Sequence, residues 1–394
     1  QIRDPLANLL FQGWLMTSAA LLAPFVMARF LSGRGGGWIA IGALTNALFL
    51  LVATPAVQFD WFVTQPYAVS ITIGFAALIV ADERNRPGAI IGAFLLLLIA
   101  CWVNIGAAVM LAIAAVIQGR RRLRLLALEG AAGVLASLAA RYLATSHTVT
   151  SLAPVRVWAN GWWQLLEGTA GVTDRPAVAI GAAVAAAGAL GWLWKKERLP
   201  PLTTLTAIAA LALGTWLVVG TSLWVGMNRY SFRYMYPTLM VLGTGVATIV
   251  AALFVTRIRA LSIAATIVLI ALSAVRYGRP SLDRVERGFD DRFGRTTAAV
   301  LHSGATVIGG DYWRVWPAVF HANLTLSRTH TRGRIFGLAY RSEETDPLWK
   351  NTGNQILIAA WPDDRTVASV ADEHGVHITL LQHQPEIDLY TGQQ

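Results

Sequence analysis

The sequence predicts an α-helical polytopic membrane protein with about ten membrane segments, some short or broken, and a small C-terminal α/β domain on the extracytoplasmic side. Three observations carry this prediction. Of the 394 residues, 55% are hydrophobic and only 14% charged, against about a quarter charged in soluble proteins. Several apolar stretches reach the ~20 residues that a bilayer crossing needs. The formal charge of +10 is nearly all arginine and falls in the short gaps between those stretches, which is the bias of cytoplasmic loops. The arginines form no single patch, so the basic balance does not point to nucleic acid. Cys101 is the one cysteine, which removes any disulfide framework within the chain.

The elements follow in order. Residues 6–31 form the first apolar run, closed by Arg29 and Arg34 at a turn expected in the cytoplasm. Residues 38–59 return outward, and 67–81 run back to the charged turn at 82–87. The stretch 89–118 is ambiguous. As one straight helix it would be about 45 Å long against a hydrocarbon core of about 30 Å, and both its ends carry cytoplasmic-type flanks. A hairpin of two short helices bending near Cys101 and Asn104 satisfies both facts. With that hairpin, 123–145 runs outward and 146–176 is an external loop. That loop holds Trp158, Trp162, Trp163 and Glu167 on an amphipathic helix lying on the membrane. Residues 177–194 run inward to Lys195, Lys196 and Arg198, and 201–225 outward. Residues 238–255 run inward to Arg257 and Arg259, and 261–275 outward.

The transmembrane domain is therefore expected over 1–276 and the extracytoplasmic domain over 277–394. Fourteen of the 22 acidic residues and six of the seven histidines lie after Tyr277. Residues 281–302 read as an amphipathic helix with apolar positions Leu282, Val285, Phe289, Phe293, Val300 and Leu301. Strands are expected at 306–308, 334–340, 355–361 and 377–381, and helices at 312–320 and 367–374. This alternation suits a domain of roughly a hundred residues.

One basic cluster breaks the charge rule. Residues 228–237 read N-R-Y-S-F-R-Y-M-Y-P, and the topology puts them outside. Arg229 and Arg233 lie four apart, so a helix would present both on one face, and Pro237 suits the first turn of the next helix. A guanidinium fork matches two phosphate oxygens and stays charged at ordinary pH. Tyr230, Tyr234 and Tyr236 add hydroxyls and flat walls for a prenyl chain. From these residues alone, lipid-phosphate capture and an aromatic belt with positive anchors stand level.

Candidate acids are few in the membrane half. Asp60 lies at a helix mouth between Gln58 and Gln65 among aromatic rings, which suits a general base or a helix-end cap. Asp82, Glu83 and Glu197 read as solvated turn residues, and Glu129 as a carboxylate paired with Arg122 or a neighbouring helix. His374 and His377 read as a surface pair rather than a metal site, and no nucleotide or nucleophile-elbow fingerprint occurs in a suitable setting.

Three segments resemble the polytopic glycosyltransferases of the GT-C superfamily, which includes protein O-mannosyltransferases and the aminoarabinose transferases of lipid A. R-Y-M-Y-P at 233–237 resembles an R-Y-x-x-P stretch before a late transmembrane helix. The broken pair within 89–118 resembles the superfamily's short central helices. G-G-D-Y-W-R-V-W-P at 309–317 is similar to a D-Y-W segment of some bacterial members' C-terminal domains. The resemblance implies transfer of a sugar from a polyprenyl-phosphate donor to a periplasmic acceptor, with inversion, in the bacterial inner membrane. It gives the donor phosphate to Arg233 and Tyr234, less surely to Arg229 and Tyr230. It also implies an external aspartate as base in a first external loop. Gln1 then falls at or after that loop, so the base is Asp4, Asp60 or a residue upstream of Gln1. Trp162, Glu167, Asp311 and Tyr312 are the remaining residues expected to face substrate. No cofactor is identified, a divalent metal is left open, and membrane lipids are the other partner. Two competing classes are a non-catalytic membrane binding or assembly factor and, behind it, a transporter.

Overall fold

The computed structural model describes residues 5–33, 37–54, 57–58, 61, 67–104, 106–143, 152–227, 231–278, 282–340 and 356–393. It divides into two compact units, Ala7–Gly278 and a second built on Arg279–Gln394.

The first unit is helical. Among the described residues, ten helices form its body: α1 Pro5–Ser32, α2 Trp38–Val52, α3 Tyr67–Glu83, α4 Pro87–Val103, α5 Gly106–Gln118, α6 Arg122–Leu143, α8 Pro176–Lys195, α9 Leu202–Gly220, α11 Tyr236–Leu253 and α12 Ile258–Tyr277. Two short ones, α7 Trp158–Gly168 and α10 Leu223–Met227, lie between them. Among the described residues, five segments are long and apolar enough to cross a membrane: Leu10–Ser32, Pro176–Lys195, Leu202–Gly220, Arg233–Leu253 and Val255–Tyr277. The protein is a multi-pass membrane protein.

Close helix approach depends on small residues, as expected where lipid provides no hydrophobic drive between helices. Gly42 of α2 lies directly against the backbone and ring of Phe25 in α1, and Gly74 of α3 against Leu111 of α5. Hydroxyls buried in the helices mostly bond carbonyls one turn back, as Thr45 does to Ile41 and Thr244 to Met240.

The hairpin is present. Helix α4 stops at Val103, with Asn104 in extended conformation, and α5 begins two residues later. Beyond its far end, the Arg121 amide donates to Asp82 Oδ1 at 3.0 Å, and the Arg121 and Arg124 guanidiniums to Asn85 Oδ1 at 2.9 and 2.8 Å. A single straight helix would hold these groups about 45 Å apart. Asp82 and Glu83 are therefore not simply solvated, because Glu83 is ion-paired with Arg29 of α1. The Arg29–Glu83 pair and the 82–87 and 119–124 turns define one end of the bundle, the arginine-rich end. Thr204, starting α9, joins them through the Leu31 carbonyl at 3.2 Å.

The C-terminal unit has α13 Leu282–Ser303, β1 Val307–Gly309, α14 Tyr312–Arg328, β2 Phe336–Leu338, β3 Ile356–Ala360, α15 Val367–Glu373, β4 His377–His383 and β5 Asp388–Gln393. Its sheet runs β2-β1-β3-β5-β4, parallel across β2, β1 and β3 and antiparallel to either side of β5. Phe289, Phe293 and Val300 of α13 pack with Val315, Ala318 and Ala322 of α14 on one face. Val370 and Ala371 of α15 cover Ile358 and Leu338 on the other. The reading of His374 is corrected: it is buried, and its Nε2 bonds the Ala339 carbonyl at 3.1 Å. It pins the end of α15 to the sheet.

Candidate functional site

The opposite, aromatic end of the bundle gathers the segments that the sequence placed outside. The Thr54 amide, after α2, donates to the Val172 carbonyl at 3.0 Å, and Ala53 pairs with Thr173. The Ala153 amide donates to Thr221 at the end of α9. Leu165 of α7, Val225 of α10, Tyr234 and Met235 form one buried cluster, with Tyr67 of α3 and Trp216 of α9 packed against it.

Arg233 stands at the lip of this cluster. Residues Phe232–Met235 form a single 3₁₀ turn that feeds α11, and Pro237 occupies the first turn of that helix, where its missing N–H costs nothing. Tyr234 is buried, and its ring lies 5.1 Å below the Arg233 guanidinium. The Arg233 Nη2 also donates to the Tyr234 hydroxyl at 3.2 Å. Arg233 is half-buried. Cation–ring contact helps to fix the side chain's direction. Tyr236 points the other way, into the core, edge-on to Trp61 at 5.8 Å.

Helix α7 is anchored onto the same end rather than held out toward a ligand. The Trp162 indole N–H donates to the Leu217 carbonyl at 2.9 Å, and its ring lies over Gly220, where no side chain would fit. Glu167 is exposed and accepts the Trp163 indole N–H at 2.6 Å. Both side chains thus spend polar contacts within the protein, and Trp162 acts as a packing residue.

Asp311 and Tyr312 belong to the C-terminal unit. Asp311 caps α14, accepting the Trp313 amide at 3.0 Å, while its own amide donates to Asp364 Oδ2 at 2.8 Å. Tyr312 packs edge-on to Trp313 and Trp316 at 5.1 and 6.3 Å. Gly310 (φ 133°) takes a backbone conformation open to glycine, and a side chain there would strike Asp364.

Asp4, Asp60, Arg229 and Tyr230 lie outside the described residues. Among the described residues, no three His, Cys, Asp or Glu side chains gather to hold a metal. Glu129 is buried on α6, but the expected pairing with Arg122 does not form. The Arg122 guanidinium donates instead to the Gly119 and Ile117 carbonyls.

One pair at this end escaped sequence reasoning. Gln58 is fully buried, its amide donating to the Leu50 and Ala53 carbonyls at 3.0 and 2.7 Å. Those are the carbonyls that the end of α2 would otherwise leave unbonded. Its Oε1 accepts the Tyr277 hydroxyl at 2.5 Å, tying the end of α12 to the end of α2. The two residues are 219 positions apart, and no local pattern links them.

No family model matches the chain, and no curated protein does. Its fold is similar to that in the crystal structure of ArnT from Cupriavidus metallidurans bound to undecaprenyl phosphate. The TM-score is 0.46 and the identity 12%, over 98% of this chain and 83% of that one.

Proposed function

We propose that the protein is a membrane glycosyltransferase of the bacterial inner membrane, moving a sugar from a polyprenyl-phosphate-linked donor to a periplasmic acceptor. The observation that carries this reading is Arg233, half-buried at the aromatic end and directed by the Tyr234 ring and hydroxyl. A lipid phosphate lying at this depth meets a permanent cation in a medium of low effective dielectric, where each contact counts for more than in water.

In the reaction, the acceptor oxygen bonds to the anomeric carbon as the bond from that carbon to the phosphate oxygen breaks. The acceptor's hydroxyl proton passes to a carboxylate, for which Asp60 and Asp4 are the candidates within the chain. Inversion follows from attack opposite the leaving phosphate. Arg233 balances the charge that the phosphate gains on leaving, an interaction stronger in the transition state than before it. The C-terminal unit is read as periplasmic, with Asp311 and Tyr312 available to an acceptor.

Replacing Arg233 with alanine tests the reading. Transfer of labelled sugar from the lipid-linked donor should fall by roughly a hundredfold or more, while the melting temperature in detergent stays near that of the parent. Arg233→Lys should recover only part of the loss, because an ammonium lacks the planar fork. Full activity in Arg233→Ala would overturn the assignment.

A further inference from the structure

We propose that the arginine-rich end carries a separate phosphate site, which binds the phosphodiester headgroup of an anionic membrane lipid. A shallow, open cleft lies there, lined by Asn85, Arg120, Arg121, Arg122, Leu123 and Arg124.

Its walls are held in place. Arg121 and Arg124 both donate to Asn85 Oδ1, Arg121 also to the Arg84 carbonyl at 3.4 Å, and Arg124 to the carbonyls of Ala81 and Arg84. The Arg124 Nε is buried and has no hydrogen-bond partner, so one donor of that guanidinium is still unused.

The charge is one-sided. Arg84, Arg86, Arg120, Arg121, Arg122 and Arg124 crowd the two turns, and none of them has a carboxylate in ion-pair reach among the described residues. Asp82 gives its Oδ1 to the Arg121 amide, and Glu83 is taken by Arg29. Arg120 is exposed. Bulk charge bias of a cytoplasmic loop requires none of this fixed geometry.

Lipid, rather than a dissolved anion, is indicated by the apolar residue in the cleft wall. Leu123 lies there with 85% of its surface exposed. An acyl chain can lie on this side chain while its phosphate sits among the guanidiniums, as basic pockets at helix ends hold anionic headgroups.

The test is native mass spectrometry of the full chain in detergent, titrated with phosphatidylglycerol. Arg120→Gln/Arg122→Gln leaves the bonds from Arg121 and Arg124 intact and should raise the half-saturating lipid concentration roughly thirtyfold. Arg120→Gln alone, at a side chain with no hydrogen bond, should raise it about fivefold and serves if the double variant does not fold. Lys195→Gln/Lys196→Gln removes the same charge from another turn and should change nothing. Phosphatidylcholine should not compete, and millimolar inorganic phosphate should leave the lipid bound. An unchanged titration in the arginine variants, an equal loss in the lysine variant, or displacement by inorganic phosphate would overturn the proposal.

Discussion

The two units use polar side chains in opposite ways. In the helical unit, serine and threonine hydroxyls are largely spent on their own helix, as with Thr248 to Thr244, Ser262 to Ile258 and Ser273 to Leu269. In the C-terminal unit, polar side chains tie distant elements together. His321 is buried between Thr297 Oγ1 at 2.7 Å and Asp290 Oδ1 at 2.9 Å, joining α14 to α13. Asn323 bonds the Ile335 amide and carbonyl at 3.0 and 2.8 Å, fixing the entry to β2. Asp364 ties the end of β3 to the end of β1. The difference follows from solvent. Lipid offers a misplaced polar group no alternative partner, so the bundle keeps most of its hydroxyls local and makes few polar contacts between helices along its length, among them Asn46 to the Leu21 carbonyl at 2.9 Å and Thr72 to the Ala19 carbonyl at 2.7 Å. The C-terminal unit places them inside.

The largest expected effect breaks the C-terminal pattern at Asp364. Its carboxylate accepts the Asp311 amide, the Thr366 amide at 2.9 Å and the Thr366 hydroxyl at 2.7 Å. Asp364→Ala removes all three, and bonds to a charged group are individually worth about 1.5–3 kcal/mol. Allowing for partial exposure, the unit should lose roughly 3 kcal/mol, seen as much faster amide exchange at Asp311 and Thr366. Asp364→Asn keeps one acceptor oxygen and should fall between. Unchanged exchange at Asp311 in Asp364→Ala would show that the turn at Gly310 holds without this strap.

How much of this was legible in the sequence differs between the units. The membrane segments and the break at Asn104 could be read, because apolar length and flanking arginines are local signals. Pro237 in the first turn of α11 was legible for the same reason. Strand β5 was missed. Asp388–Gln393 has no alternation to mark it, and it is held through its neighbours. Gly392 is there because a side chain would strike Ile358 and Val376. The partners of Glu83, Asp82 and His374 were misread because each lies on another element, and sequence spacing carries no information about them. At the candidate site, the type and place of Arg233 were legible. Its seat on Tyr234 and the inward turn of Tyr236 were not, since they depend on a 3₁₀ turn that only the packed cluster selects.

A smaller effect is expected where the helical unit does make a long-range polar contact. The Arg29 and Glu83 side chains are 19% and 24% exposed, between a surface pair worth under about 1 kcal/mol and a buried one worth several. Arg29→Ala should therefore cost roughly 1–2 kcal/mol, lowering the melting temperature in detergent. A double-mutant cycle with Glu83→Gln isolates the pair from other contacts of either residue. Coupling near zero would mean that other contacts, such as Gly42 on Phe25 and the bonds from Asn46 and Thr72 to the Leu21 and Ala19 carbonyls, hold α1 to the bundle.

The smallest effect concerns pH and sharpens the contrast in how the C-terminal unit buries polar groups. Tyr390 of β5 packs against the Val307 and Ile358 cluster. Its phenol is pushed above the ordinary tyrosine value, first by burial and then by the negative charges of Asp388 and Asp364. A raised native value means that the folded chain holds this proton after the unfolded chain has released it. The stabilising contribution is complete below about pH 10, the unfolded value. It is lost as pH rises through the native value, because the unfolded state then binds fewer protons. Melting temperature should thus fall more between pH 9 and pH 11 in the parent than in Tyr390→Phe, which has no proton to lose. Parallel falls would mean that Tyr390 ionises without cost where it lies, and that β5 is more open to water than its packing against Ile358 implies.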